Sequence, residues 1–297
     1  MDIAGMGWLP DYPDFRDYSP EKGGEPPEGE DRDVPTLLRE LHVQAPEEPA
    51  ALPTSIDLRA DFSPIENQGS LGSCTANAGT GIVEYYERKA FGRHLDASRL
   101  FLYKATRNLL GWTGDTGAFL RTTMQAMVLF GVPPESYWPY KIQDFEKEPT
   151  AFSYSFGQRY RALQYFRLDP PNTSVDELLA RIKTNVAGKL PPMFGFTVFS
   201  SYTQASDDGA IPFPTSGESV VGGHAVVAVG YDDAKKVQNG TGGPATTGAF
   251  RIRNSWGTAW GDSGYGWLPY EYVLQGLAVD WWSLIKSSWV DTKAFGL

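Results

Sequence analysis

From about Ser73 to Ala90 apolar residues recur near helical spacing, at Ile82, Val83, Tyr86 and Ala90, while Glu84, Glu87, Arg88 and Lys89 form a wet face. Gly92 supplies the stop signal. Further helices are predicted at 97–109, at 118–130, where Gly131 and Pro133 follow, and at 174–187. The pattern then changes. Residues 193–198, 225–231 and 249–253 are short β-branched or aromatic runs bounded by Gly, Pro and Asp or Asn, as strands are. Between the last two, Lys235 to Gly248 contains Asn239-Gly240 and Gly242-Gly243-Pro244 and reads as a hairpin connection longer than usual. No internal repeat is visible. Helices first and strands afterwards predict an α+β fold, with a helical lobe over 53–155 and a β lobe over 156–297.

Residues 1–52 follow neither pattern. They hold 13 Asp and Glu against 4 Lys and Arg, a net of −9, and 8 of the 22 prolines, while residues 53–297 are nearly balanced at −1. Such a stretch cannot build a core of its own and as a free segment is disordered. It has contacts to offer the body, through Trp8-Leu9-Pro10, the run from Pro13 to Tyr18 and a short helix at 35–43. Two readings stand: an acidic tail of no consequence, or a docked regulatory segment.

With 297 residues, 41% of them apolar, the chain has material for a sizeable core. A net charge of −10 argues against a nucleic-acid partner. No apolar run approaches the roughly 20 residues of a spanning helix, so no membrane partner is expected. Cys74 is the one cysteine, which excludes an intramolecular disulfide and a multi-cysteine metal site. His42, His94 and His224 are the three histidines, so neither a metal nor a cofactor is expected; His42 and His94 read as surface or packing residues. The start carries no recognisable secretory signal, which leaves localisation open.

The informative stretch is Gln68-Gly69-Ser70-Leu71-Gly72-Ser73-Cys74. It places a lone thiol behind a glycine-bearing turn at a helix start, where free N–H groups and the helix dipole favour a thiolate. Alone, the signal is weak, and for an isolated cysteine an inert buried residue acting as a small hydrophobe is the favoured reading. The second half adds Gly223-His224-Ala225-Val226 and Asn254-Ser255-Trp256-Gly257, 150 and then 30 residues further on. Together these motifs resemble the papain family of cysteine peptidases, in particular its bacterial members. The likeness covers most of 53–270, including Pro53-Thr54-Ser55-Ile56-Asp57-Leu58-Arg59 and Gly264-Tyr265-Gly266.

The resemblance implies a papain-like fold, a helical lobe and an antiparallel β lobe with the active-site cleft between them. It implies Cys74 as nucleophile, His224 as its ion-pair partner and proton donor, Asn254 as the group that orients the imidazole, and Gln68 as an oxyanion donor. Trp256 corresponds to the tryptophan that shields the histidine–asparagine bond, and Trp260 reads as structural. The second residue on the acyl side of the cut is implied to enter a pocket near Phe119, Leu120 and Ala225, flanked by Gly223, with an apolar preference. The loop Thr116-Gly117-Ala118 is implied to pair with extended substrate backbone. Two positions depart from the family: Leu71 stands where many relatives have a disulfide cysteine, and Thr75 where they have a tryptophan.

The expectation is a papain-like cysteine endopeptidase, acting as a monomer on a peptide or protein substrate through an acyl-thioester. Its own N-terminal segment is expected to act as an intramolecular inhibitor. A catalytically silent papain-fold binding protein and a related acyl transferase or amidase are the alternatives.

Overall fold

The computed structural model describes residues 5–26, 30–43, 52–160, 164–240, 242–243, 245–286 and 291. The elements run α1 (Val34–Glu40), β1 (Ser55–Asp57), α2 (Cys74–Phe91), α3 (Arg99–Leu110), α4 (Leu120–Leu129), α5 (Ala151–Gly157), β2 (Gln164–Arg167), α6 (Val175–Ala187), β3 (Met193–Phe199), β4 (Val220–Gln238), β5 (Ala245–Arg253), β6 (Tyr265–Pro269), α7 (Glu271–Leu274) and β7 (Ala278–Ile285). Helices α2, α3 and α4 pack together, and the strands form one antiparallel sheet in the order β2-β7-β3-β4-β5-β6. β1 also pairs with β4, so the first strand of the body joins the sheet from the helical side of the sequence. This is the two-lobe α+β arrangement of helices and curled antiparallel sheet.

The predicted helices form within two residues of their expected ends because their caps are in the sequence. Ser98 and Ser174 accept backbone N–H bonds at the starts of α3 and α6, while Gly92 and Gly111 end α2 and α3 in the left-handed region. The expected wet face of α2 needs correcting at Glu84, which is buried. Its carboxylate accepts from Ser63 Oγ (2.5 Å) and from the Ala97 N–H (2.8 Å). α2 is buried on all sides from Cys74 to Tyr86, because it runs between α3, α4 and the sheet.

The hairpin connection also needs correcting. β4 continues to Gln238 and β5 begins at Ala245, so only residues 239–244 connect them. The outer part of the ribbon, pairing Lys236 with Thr247 and Val237 with Thr246, alternates: Val237 and Thr246 are buried, while Lys236, Gln238 and Thr247 are exposed. Ala225–Tyr231 show no alternation, since both faces of that central strand are covered. α5, β2, β6, α7 and β7 lack a predicted counterpart.

The front segment is docked. Trp8, Val34, Leu37, Leu38, Leu41 and Val43 are all buried against the body. α1 is shorter than the predicted 35–43 helix, since His42 turns into the left-handed region after it. Arg121 on α4 grips the segment: it binds the Asp17 carboxylate (2.7 and 2.9 Å), the Tyr12 carbonyl (2.8 Å) and Asp11. The Arg167 N–H donates to the Tyr18 carbonyl (2.8 Å), and Gln164 Nε2 to the Arg32 carbonyl (2.8 Å).

Candidate active site

Cys74 is the first residue of α2, and the turn before it is stapled to a second loop. The Gly72 N–H donates to the Asp115 carboxylate (2.9 Å), Asp115 accepts from Tyr103 Oη (2.6 Å), and Tyr103 Oη accepts from the Gly117 N–H (3.0 Å). This chain fixes the nucleophile turn relative to Thr116-Gly117-Ala118. Gln68 is held from both ends of its amide: Oε1 accepts from Ser255 Oγ (2.5 Å), and Nε2 donates to the Leu71 carbonyl (2.8 Å).

His224 lies in β4 and Asn254 directly follows β5, and antiparallel pairing of these neighbours brings the two together. His224 Nε2 donates to Asn254 Oδ1 (2.8 Å), which also accepts from the Ser255 N–H (2.8 Å). That bond puts the ring's proton on Nε2 and leaves the Nδ1 lone pair without a partner among the described residues. Trp256 stacks on the imidazole, 4.4 Å between centroids at 24°, and Trp260 packs edge-on to Trp256 at 5.4 Å. The Ala225 N–H lies near the Cys74 sulfur and favours its anion, so the histidine strand borders the thiol.

The cleft is covered by residues 5–9. Gln68 Nε2 donates to the Gly5 carbonyl (2.5 Å), and the Gly7 N–H points at the Cys74 sulfur. The Trp8 N–H donates to the Gly223 carbonyl (3.2 Å); on either side of Trp8, Gly7 C=O accepts from Ala118 N–H (2.7 Å) and Leu9 N–H donates to Ala118 C=O (3.2 Å), a parallel bridge. Gly117 sits at φ 73°, and a Cβ there would overlap the Gly7 carbonyl, so glycine is required twice over. The Trp8 indole enters a pocket beside Gly195 and reaches Asp280 Oδ2 with its Nε1 (3.1 Å).

With the cleft covered, the expected thiolate does not form. Burial pushes the Cys74 thiol up to about 11, outweighing the N–H groups of Ala225, Gly7 and the helix start that favour the anion. Burial likewise lowers His224 to about 4, against the opposing effect of Asn254. At neutral pH the pair is a thiol and a neutral imidazole.

The predicted residues are therefore largely gathered at one place. Cys74, Gln68, His224, Asn254, Trp256, Gly117, Ala118, Gly223 and Ala225 all border the stretch occupied by residues 5–9 or the imidazole. Phe119 and Leu120 differ: Leu120 is buried within α4, and Phe119 packs on Trp112 (5.4 Å), which lines the hollow beside Leu9. His42 is exposed, and His94 pairs with exposed Asp96. Leu71 and Thr75 are buried. Sequence reasoning missed Ser255, Asp115, Tyr103, Gly195 and Asp280; an acid inside the apolar run 277–285 was the available signal for the last.

Comparison with known proteins agrees with this geometry. The model of the papain family cysteine protease matches residues 52–275. An uncharacterized peptidase C1-like protein of Acanthamoeba polyphaga mimivirus is 35% identical over 222 residues, covering 73% of this chain and 68% of that one. Peptidase 1 of Euroglyphus maynei is 29% identical over 225 residues, and the match spans 73% of this chain and 61% of that protein's length. Among solved structures, xylellain, a cysteine protease from Xylella fastidiosa, has a TM-score of 0.72 at 32% identity, covering 95% of this chain and 96% of that chain. Procathepsin L 3 of Tenebrio molitor larval midgut, at 22% identity and TM-score 0.60 over 82% of this chain and 73% of that chain, shares the fold. The chain belongs to the papain family of cysteine proteases and is a cysteine peptidase, a hydrolase.

Proposed function

We propose that this peptidase is an endopeptidase held latent by its own N-terminal segment, with Cys74, His224, Asn254 and Gln68 as its chemical machinery. One observation carries the reading: a peptide carbonyl, that of Gly5, already sits 2.5 Å from the Gln68 amide, at the donor that would stabilise an oxyanion. The cleft binds peptide backbone and is filled with its own.

Once residues 5–9 leave, the Nδ1 lone pair of His224 takes the proton from the Cys74 thiol, and water entering the cleft stabilises the ion pair that burial disfavours. The thiolate attacks the scissile carbonyl carbon. The oxyanion accepts from Gln68 Nε2 and the Cys74 N–H; one such donor is worth about 2.7–4 kcal/mol of transition-state stabilisation. The imidazolium protonates the leaving amine, and the same imidazole then draws a proton from the water that hydrolyses the thioester. Asn254 keeps Nε2 protonated and Nδ1 aimed at the sulfur, while Trp256 covers that bond.

Latency follows from chain direction. In a substrate, the residue in the pocket precedes the carbonyl at Gln68; in the segment, Trp8 follows Gly5. The segment thus runs backwards through the cleft and presents no bond in the orientation that is cut. The body from residue 53 supplies both lobes, 53–155 with the nucleophile and 156–297 with histidine and asparagine.

The test is hydrolysis of end-blocked peptides, read by mass spectrometry, with the full chain and with its Trp8→Ala variant. Internal cuts by the variant, slower cuts by the parent and none by Cys74→Ser are expected. Amine-adduct products without hydrolysis would replace the reading by acyl transfer, and no turnover by either form would leave a silent relative.

A further inference from the structure

Gln68 is aimed through a single peptide unit. One N–H of its Nε2 is taken up by the Leu71 carbonyl (2.8 Å), which leaves the other for the cleft, where the Gly5 carbonyl accepts it. The Leu71 carbonyl also accepts from the Ser73 N–H (2.8 Å). The opposite end of that peptide unit, the Gly72 N–H, donates to the Asp115 carboxylate, 2.9 Å from Oδ1 and 3.1 Å from Oδ2. Asp115 therefore stands two hydrogen bonds behind the Gln68 amide, although it lies 43 residues beyond Gly72 in the chain.

Asp115 is held in its turn. Residues 112–117 lie outside any helix or strand, so their shape rests on contacts from α3. Tyr103, fully buried, supplies two: its Oη donates to Asp115 Oδ1 (2.6 Å) and accepts from the Gly117 N–H (3.0 Å). Arg107, one turn further along α3 and also fully buried, lies over the Tyr103 ring (4.4 Å) and donates to the carbonyls of Gly114 and Phe145 (2.5 Å each). The carboxylate is the joint at which this column from α3 meets the nucleophile turn. No covalent tie does the same work, because Leu71 stands where many relatives have a disulfide cysteine and Cys74 is the one cysteine of the chain.

We infer that Asp115 is the positioning residue for the oxyanion donor. Through the Leu71–Gly72 peptide it sets the orientation of the Gln68 amide, and through Tyr103 it keeps that amide in register with Gly117-Ala118, the edge that pairs with peptide backbone. The inference rests on the role proposed for Gln68. A peptide unit is planar, so its N–H and C=O turn together. Without the carboxylate the Gly72 N–H is released, the Leu71 carbonyl rotates with it, and Gln68 Nε2 loses the acceptor that points its second N–H into the cleft. The bound carboxylate also polarises the peptide, which makes the Leu71 carbonyl a stronger acceptor.

The test is a double-substitution cycle on the full chain in the Trp8→Ala background, with kcat and KM measured on a blocked peptide. Asp115→Ala is expected to lower kcat about 10- to 100-fold when Gln68 is present and less than about 3-fold when Gln68 is alanine, because both act on one donor. Equal losses in the two backgrounds overturn the inference, since Asp115 would then merely support the fold. Asp115→Asn, which keeps an acceptor for Gly72 and Tyr103, is expected to stay within about 3-fold of its parent, and a loss as large as alanine's counts against the assignment. Tyr103→Phe keeps the Gly72 bond and frees the Gly117 N–H, so KM should rise about 3- to 10-fold with kcat nearly unchanged. The opposite split overturns the register half, and this variant decides alone should Asp115→Ala not fold. Hydrogen exchange separates the tie from the chemistry: in the chain with Trp8 intact, the Gly72 amide, followed by NMR, should exchange about 10- to 100-fold faster in Asp115→Ala. Unchanged exchange overturns the tie whether or not the protein cuts peptides. Faster exchange beside a Gln68→Ala variant as active as its parent sustains the tie and sinks the reading it rests on.

Discussion

Replacing Trp8 by alanine should open the cleft while leaving the rest of the front segment in place. Trp8 is 5% exposed, its ring lies against Gly195 and its indole N–H reaches Asp280. Truncating a buried tryptophan costs about 3–5 kcal/mol. Here the cost falls on a local equilibrium, because α1 and the Arg121–Asp17 pair hold the segment independently of residues 5–9. At 1.4 kcal/mol per factor of ten, the open population should rise roughly 100- to 4,000-fold. The assay is the rate of Cys74 alkylation by iodoacetamide at neutral pH, followed by intact mass, alongside thermal unfolding. The expected result is faster alkylation by that factor with a small change in midpoint. Alkylation at the parental rate would refute the argument, since residue 8 would then not be what keeps the thiol covered. So would an increase that appears only in denaturant, where global unfolding does the exposing.

Other outcomes follow from the same geometry. In the parent chain, Cys74 alkylation should climb only at alkaline pH, toward a thiol value of about 11, and in Trp8→Ala the climb should move to lower pH as water reaches the sulfur; identical profiles would contradict the burial argument. Gln68→Ala in the Trp8→Ala background should lower kcat about 10²- to 10³-fold with little change in KM, measured on a blocked peptide. Glu84→Gln tests the buried acid of α2. Burial raises Glu84 from 4.5 to about 7, so its folding penalty is absent below 4.5 and complete above 7. The stability of the variant relative to the parent, from urea unfolding, should therefore improve by about 3 kcal/mol between pH 4.5 and pH 7 and then level off.

How far the sequence reveals these features depends on how locally each is determined. Helices α2, α3, α4 and α6 were legible because spacing and caps lie within a few residues. Cys74, His224, Asn254 and Gln68 were legible because each sits in a short motif at a characteristic separation. The pocket was not. Gly195, Gly223 and Asp280 meet only through the pairing of β3 with β4 and β7, and a slip of one residue would send a different side chain to its floor. β7 itself hides as an apolar run whose one acid interrupts any simple pattern. The protonation of Cys74 was misjudged for a related reason: the helix start is a local feature, while burial beneath residues 5–9 comes from 65 residues away and dominates. The outer half of the β4–β5 ribbon passed for a loop because its exposed positions, such as Lys236, Gln238 and Thr247, read as turn residues, while Val237 is the one large apolar side chain on its buried face.

If residues 5–9 hold the peptidase latent, as proposed, the anchoring of α1 against the body decides how that latency responds to concentration. Residues 5–9 are tethered to the cleft they fill, with α1 fixed on one side of the tether, so their occupancy is a unimolecular property. Dilution leaves it unchanged. A free peptide competing for the same groove works against a local concentration on the order of millimolar, the usual figure for a short flexible connection. Under the proposed latency, weakly bound substrates would be screened out, so that the protein would discriminate by affinity before it discriminates by chemistry.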